Sequence, residues 1–216
     1  MLIDQGIKIE YYINKFSEYL DYLDGDFLDG QKQIHQAAEA YAEKMKVDVE
    51  TLKETDFLDT LKYQIVNLFP NIVLSGFLVS LYGFTEHELV SICKEEKRVR
   101  NLSHDYEDEA AKATTTKVKN YLKNKVQIPI NESDWNILKY VRWIRNAIAH
   151  NNGRVDQGIL DEYIQFRAYL QAEKIINAEN EMQLSIEYCR KIMKFIHDMF
   201  EKICTCFNVP VRGYLS

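Results

Sequence analysis

The sequence predicts an all-α protein, and three observations carry that reading. Only 8 glycines and 3 prolines interrupt the 216 residues, which suits long helices and denies an all-β fold its turns. Several long segments repeat apolar residues at helical spacing. The balance of 46% hydrophobic and 28% charged residues is that of an ordinary globular domain. At this length the chain reads as a single helical domain over 1–216, with an N-terminal helical extension (1–55) packed on a core spanning 60–207.

The elements follow in order. Ile9, Ile13, Phe16, Leu20 and Leu23 share one face of a first helix, which Gly25 is expected to close. A second helix over about 29–46 carries Ile34, Ala37, Ala38, Tyr41 and Met45 on one side, and a third runs from near Asp48 to Pro70. The fourth and most apolar reaches about Arg98, with Pro70 either ending the third helix or kinking one long one. Its apolar run, NIVLSGFLVSLYGF, is about 14 residues, short of the roughly 20 that span a bilayer. The opening MLIDQGIKIE has neither a basic start nor an apolar segment, so the expectation is a cytoplasmic protein with reduced thiols and no membrane contact.

NLSHDYEDEAAKATTT reads as a surface loop and KVKNYLKNK as a short helix after it. VQIPINES is extended, because Pro129 disfavours helix at Ile128. Ser133 is expected to cap a helix over 134–152, which Gly153 stops. A short helix near 156–168 precedes a small β-hairpin, EKIINAENEMQLS, with Asn180 in its turn, and a last helix covers 186–207.

A net charge of −6 argues against a surface shaped throughout for nucleic acid. Residues 110–131 nevertheless contain no acid and hold Lys112, Lys117, Lys119, Lys123 and Lys125, either a solvated helix face or an RNA-tracking patch. Cys189, His197, Cys204 and Cys206 fall along one expected helix over about 25 Å, too far apart for one tetrahedral zinc. Neither a metal nor a cofactor is expected.

The chemistry concentrates in RWIRNAIAHNNGRV. At about 100° per residue, with Arg145 at zero, Ile137, Tyr140, Val141, Ile144 and Ile148 cover an arc of about 220° to 320° that should face the core. Lys139, Arg142, Asn146 and His150 form a polar stripe between about 60° and 140°. Arg145 belongs to neither and emerges among apolar neighbours, which is costly unless an anion or a partner chain meets it. The helix dipole accounts for a cation in the last turn but not for this arginine. Arg145, Asn146 and His150 could instead meet over one anion. An imidazole that titrates near neutrality relays protons, and a guanidinium holds a phosphate at two points. Together they suit RNA cleavage by its own 2′-hydroxyl without a metal.

Arginine, a polar residue, three residues and histidine, here Arg145, Asn146 and His150, resemble the signature of the HEPN superfamily. This superfamily of helical proteins includes many RNases of toxin–antitoxin, abortive-infection and CRISPR-linked defence systems. WNILKYVRWIRNAIAHNNGRV, with the upstream KVKNYLKNKVQI, looks like the form the signature takes in bacterial members. The resemblance is specific over about 115–155 and extends in architecture over 60–207. It implies an all-α, HEPN-like bundle that dimerises around a composite cleft, with Arg145 and His150 as the catalytic pair and Asn146 as their polar companion. Arg142, one turn back, is added as a substrate-binding residue on position alone. Glu86, in FTEHEL, lies where related chains often carry an acid that orients the site. Some family toxins have a tyrosine two residues after the histidine that a partner adenylylates; here that residue is Asn152.

The leading expectation is therefore a metal-independent endoribonuclease of phage defence or a toxin–antitoxin system, with RNA as substrate and an antitoxin or defence protein as partner. The alternative is a non-catalytic helical module that binds a nucleotide, an RNA or a partner protein. The apolar edge that bears Arg145 predicts a two-fold homodimer whose interface includes the helix over 134–152. Light scattering at micromolar concentration should give twice the monomer mass, and a monomer would contradict the expectation.

Overall fold

The computed structural model describes residues 2–45, 63–155 and 161–207. These residues form an all-α bundle of six helices with no strand.

Glycine is too weak a breaker to divide the first helix. The two helices expected on either side of Gly25 are one, α1, over Leu2–Met45. With no left-handed cap there, Gly25 costs about 1 kcal/mol relative to alanine, which the burial of Ile9, Ile13, Leu20 and Leu23 outweighs. The side chains of Ile34, Ala37, Ala38, Tyr41 and Met45 lie outside those described, as does the third helix expected from Asp48 up to residue 62.

Pro70 neither ends a helix nor stands alone. A π-helical turn over Gln64–Leu68 leads directly into α2, Phe69–Val99, with Pro70 in its first turn. A proline ring presses on the carbonyl four residues back and offers that carbonyl no N–H, and widening the preceding turn relieves both. The uncharged stretch is therefore helical across the proline, from Gln64 to Thr85, and not the 14 residues read from Asn71 onward. By length and composition alone the helix Gln64–Val99 could cross a membrane. In this fold it is the central helix and packs against α1 and three helices still to come. Leu74, Leu78, Leu81 and Leu89 are buried, and farther along so are Glu88 and Glu96.

Helix α3 occupies Thr114–Tyr121 and widens into a second π turn over Leu122–Val126. It starts three residues before the expected KVKNYLKNK helix because Thr115, expected in the polar surface loop, is buried on the same face as Val118 and Tyr121. The loop before it includes a 3₁₀ turn, Tyr106–Asp108, closed by a reciprocal Asp105/Asp108 capping box.

Helix α4 runs over Glu132–Asn151. Its cap is Asn131, not Ser133: the Asn131 Oδ1 accepts the Ser133 backbone N–H at 3.0 Å and the Ser133 hydroxyl at 2.8 Å. Pro129 keeps the chain extended only as far as Asn131, so the helix begins at the first good cap. Two consecutive left-handed residues, Asn152 (φ 50°) and Gly153 (φ 79°), end it, and the Gly153 N–H returns to the Ala147 carbonyl at 2.9 Å.

Helix α5 is described over Asp161–Ala172, four residues past the expected end at 168, and residues 156–160 of the expected helix lie outside those described. The expected hairpin is a turn with isolated antiparallel bridges, Ile176 with Met182 and Arg154 with Glu181, too short for strands. Asn180 stands in that turn at φ 62°, and Asn71 of α2 clamps its exit through the Met182 carbonyl (3.0 Å) and the Leu184 N–H (2.9 Å). The last helix, α6 over Ile186–Thr205, is capped by Ser185 and packs against α1 and α2. All four cysteines are free thiols; Cys93, Cys189 and Cys204 are buried and Cys206 is exposed.

Helix α1 is fastened to α2 by a buried carboxylate as well as by apolar contact. Glu88 is 1% exposed and accepts from the Gln5 amide and the Lys8 ammonium, each at 2.7 Å. Lys8→Met should lower stability to urea by about 1–3 kcal/mol by stranding this carboxylate, less than a fully buried pair would lose because Lys8 is half-exposed. Lys8→Met/Glu88→Leu should recover most of the loss, and a double variant as unstable as the single one would contradict this account.

Candidate functional site

Helix α4 buries every third residue, Trp135, Leu138, Val141, Ile144 and Ala147, so its apolar stripe spirals around the helix. The fixed arc expected from Ile137 to Ile148 is correct only at Val141 and Ile144; Ile137, Tyr140 and Ile148 are half-buried. Two neighbours on different sides produce the spiral. Helix α2 covers one side, while α5 covers the other with an aromatic stack in which Tyr140 lies 5.8 Å from Phe166 and 4.8 Å from Tyr169. Trp143 closes edge-on against Phe166 at 5.1 Å.

Arg145 leaves α4 where this cover ends. Its guanidinium lies over the ring of Tyr82, 5.9 Å from the centroid, and donates through Nη1 to the Asn146 side-chain oxygen at 3.0 Å. Its Nε is buried without a hydrogen-bond partner. Arg142, one turn earlier, reaches the Thr115 hydroxyl of α3 at 3.4 Å. Both arginines and Asn146 line an open pocket of about 440 Å³, joined by Tyr82 and Glu86 from α2 and by Lys112 from the loop before α3. The Tyr82 hydroxyl is likewise buried and unpartnered. Burial pushes this phenol up to about 12; the Thr115 hydroxyl opposes the shift, Glu86 adds to it, and Arg142 and Arg145 oppose it. Tyr82 is thus a protonated donor at neutral pH. Two buried donors without acceptors, beside two further cations, form a site that accepts an anion.

The structure brings three of the four expected residues together, Arg142, Arg145 and Asn146. His150 is exposed in the last turn of α4 and is not among the residues that line the pocket. Glu86 lines it as well. Tyr82 and Lys112 were not expected there. Lys112 had a signal, as the first lysine of the acid-free run, whereas Tyr82 sits in the most apolar helix, where a tyrosine reads as core. Asn152 serves as the left-handed cap of α4.

Among the described residues, the group of His, Cys, Asp or Glu side chains whose ligand atoms lie within 4.8 Å of one another is His197, Asp198 and Glu201 on α6. A cation held there would compete with Lys194, 3.4 Å from Asp198.

No protein-family model matches the chain, and no curated protein or solved structure matches it. The fold and site define an all-α bundle with an anion pocket at one helix end, and the function has to be argued from that pocket.

Because its hydroxyl is buried and unpaired, Tyr82→Phe should stabilise the free protein by about 1 kcal/mol in urea unfolding. A loss of stability would mean that the hydroxyl is hydrogen-bonded and is no part of an open anion site.

Proposed function

We propose that this protein is a metal-independent endoribonuclease, similar in mechanism to the HEPN RNases and acting on cytoplasmic RNA in phage defence or a toxin–antitoxin system. The observation that carries the reading is the pocket of unpaired donors, the Arg145 Nε and the Tyr82 hydroxyl with Arg142 and Lys112, one helical turn from an exposed histidine. In the proposed reaction the arginines and Tyr82 hold the scissile phosphate, and Asn146 fixes the Arg145 fork. The 2′-oxygen attacks phosphorus as the 2′-hydroxyl loses its proton, the bond from phosphorus to the 5′-oxygen breaks, and the leaving oxygen is protonated. His150 carries one of these protons. The products are a 2′,3′-cyclic phosphate and a 5′-hydroxyl. The charge that develops on the phosphorane meets fixed cations, which is the role a metal would otherwise fill.

Homodimerisation belongs to the same proposal. Beside the exit of α4 lies a groove of about 590 Å³ in which Leu68 of the π turn and the exposed Ile72 at the start of α2 face Ile148 and Ala149. A second copy seated there would cover this apolar surface and bring its own helix end to the exposed His150, giving a composite site. An antitoxin or defence protein would act as the regulatory partner.

The position of His150 outside the pocket favours a second reading, a non-catalytic module that binds a nucleotide, an RNA or a partner protein through the arginines. The two readings separate on cleavage. In EDTA the protein should cut RNA to the cyclic phosphate, and a strict requirement for magnesium or manganese would refute the mechanism. His150→Ala should reduce turnover by about 10²–10⁴-fold with RNA affinity nearly unchanged, while Arg145→Ala should reduce both. Equal cleavage by wild type and a folded His150→Ala would leave the binding module.

A further inference from the structure

The proposed cleavage moves two protons, and His150 carries one of them. The walls of the anion pocket hold one side chain suited to take the other. Tyr82, Lys112, Arg142 and Arg145 are donors, and the Asn146 side-chain oxygen already accepts from Arg145. Among the described residues that line the pocket, Glu86 is the one carboxylate. It is half-buried on α2, one helical turn beyond Tyr82. Although it shares the pocket with Lys112, Arg142 and Arg145, it makes neither a hydrogen bond nor an ion pair with any described residue. A carboxylate that holds nothing in place does not position the arginines, and its oxygens are open to a substrate.

Helices α2 and α4 run antiparallel along the site. Ile72 and Gly76 of α2 lie beside Ile148 and Asn152 of α4, Arg145 lies over Tyr82, and Glu86 stands farther on, in the pocket that also contains Arg142. Glu86 and His150 therefore fall on opposite sides of Arg145, one turn past Tyr82 in one direction and one turn past Asn146 in the other. In-line displacement at phosphorus needs this order. The attacking and leaving oxygens lie on opposite sides of the phosphorus, with the cations between them.

We infer that Glu86 is the general base of the proposed cleavage, taking the proton of the 2′-hydroxyl while His150, as imidazolium, protonates the leaving 5′-oxygen. The inference rests on the nuclease reading and assigns the proton that reading leaves open. The bond from the 2′-oxygen to phosphorus forms as the proton passes to a Glu86 carboxylate oxygen. The bond from phosphorus to the 5′-oxygen breaks as His150 gives up its proton. Between turnovers Glu86 returns a proton to water and His150 takes one back, so the step closes with water alone. A general base works deprotonated and a general acid protonated, so the rate should fall at acid pH through Glu86 and at alkaline pH through His150. The other charged or titratable groups that face Glu86 are Tyr82 on its own helix, Lys112 before α3, and Arg142 and Arg145 on α4. Tyrosine, lysine and arginine titrate on the alkaline side, so none of them supplies an acid limb.

The test compares the full chain with Glu86→Gln, Glu86→Asp and His150→Ala in EDTA. Initial cleavage rates of a fluorescein-labelled single-stranded RNA are measured from acid to alkaline pH, with affinity read by anisotropy and folding by circular dichroism. Glu86→Gln, which has no partner to lose, should reduce turnover by about 10²–10⁴-fold, and its remaining rate should no longer fall at acid pH. RNA should bind it as tightly as wild type or more tightly, because a negative charge has left the pocket. Glu86→Asp should recover part of the rate together with the acid limb, whereas a residue that only oriented the site would leave the pH profile in place in both variants. His150→Ala should keep the acid limb and lose the alkaline one. Turnover in folded Glu86→Gln within a few-fold of wild type, or an acid limb that survives in it, would overturn the assignment and leave the nuclease standing with His150 as its base. A wild type that cuts no RNA would overturn both, so the two claims fail separately.

Discussion

The uncharged helical stretch that ends at Thr85 buries one side from Leu74 onward, and the need to cover that side organises the molecule. Helices α1, α3, α4 and α6 all pack against α2, and burying its leucines supplies the main drive for the bundle. The polar groups within this cover are paired across elements, Glu88 with Gln5 and Lys8, and Asn71 with the turn before α6. The candidate site lies where the cover ends, with Tyr82 still on the buried face of α2 and Arg145 on α4 just past the edge of that cover. The same packing that buries the Tyr82 hydroxyl and the Arg145 Nε leaves them without acceptors, so the site follows from the way the core closes.

Charge is distributed unevenly over that frame. The net charge is −6, yet the pocket beside α4 gathers Lys112, Arg142 and Arg145 against one acid, Glu86. A local positive groove on an acidic protein can steer a polyanion to one place while the rest of the surface repels it. Several lysines elsewhere are neutralised locally, Lys97 by Asp105, Lys119 by Glu132, Lys191 by Glu173 and Lys202 by Asp134, so the pocket stands out by contrast.

Helical class, the order of most elements and the left-handed end of α4 were legible in the sequence because they depend on local periodicity and on residues such as Asn152 and Gly153, whose backbone preferences are strong. The boundaries that differ are those where packing overrides local preference. Gly25 is absorbed into α1 by buried neighbours on both sides, Pro70 is accommodated by a π turn, and Thr115 becomes helical because its side chain is buried. The burial spiral of α4 was illegible, since which of its residues are covered depends on where α2 and α5 sit. For the site, Arg142, Arg145 and Asn146 could be read from one helical turn of sequence. Tyr82 could not, because its place beside them is a tertiary contact between residues 63 apart in the chain. The separation of His150 from the pocket also lies beyond a helical projection, which shows direction around the axis but not where a side chain is enclosed.

The central claim is that Arg142, Arg145 and Tyr82 form a built anion site. Its most direct test is the ³¹P line width of inorganic phosphate titrated with the wild-type protein and with Arg142→Gln/Arg145→Gln in EDTA at constant ionic strength. The account predicts saturable broadening with wild type that is lost in the folded double variant. Equal broadening by both proteins, or none by the wild type, would contradict it.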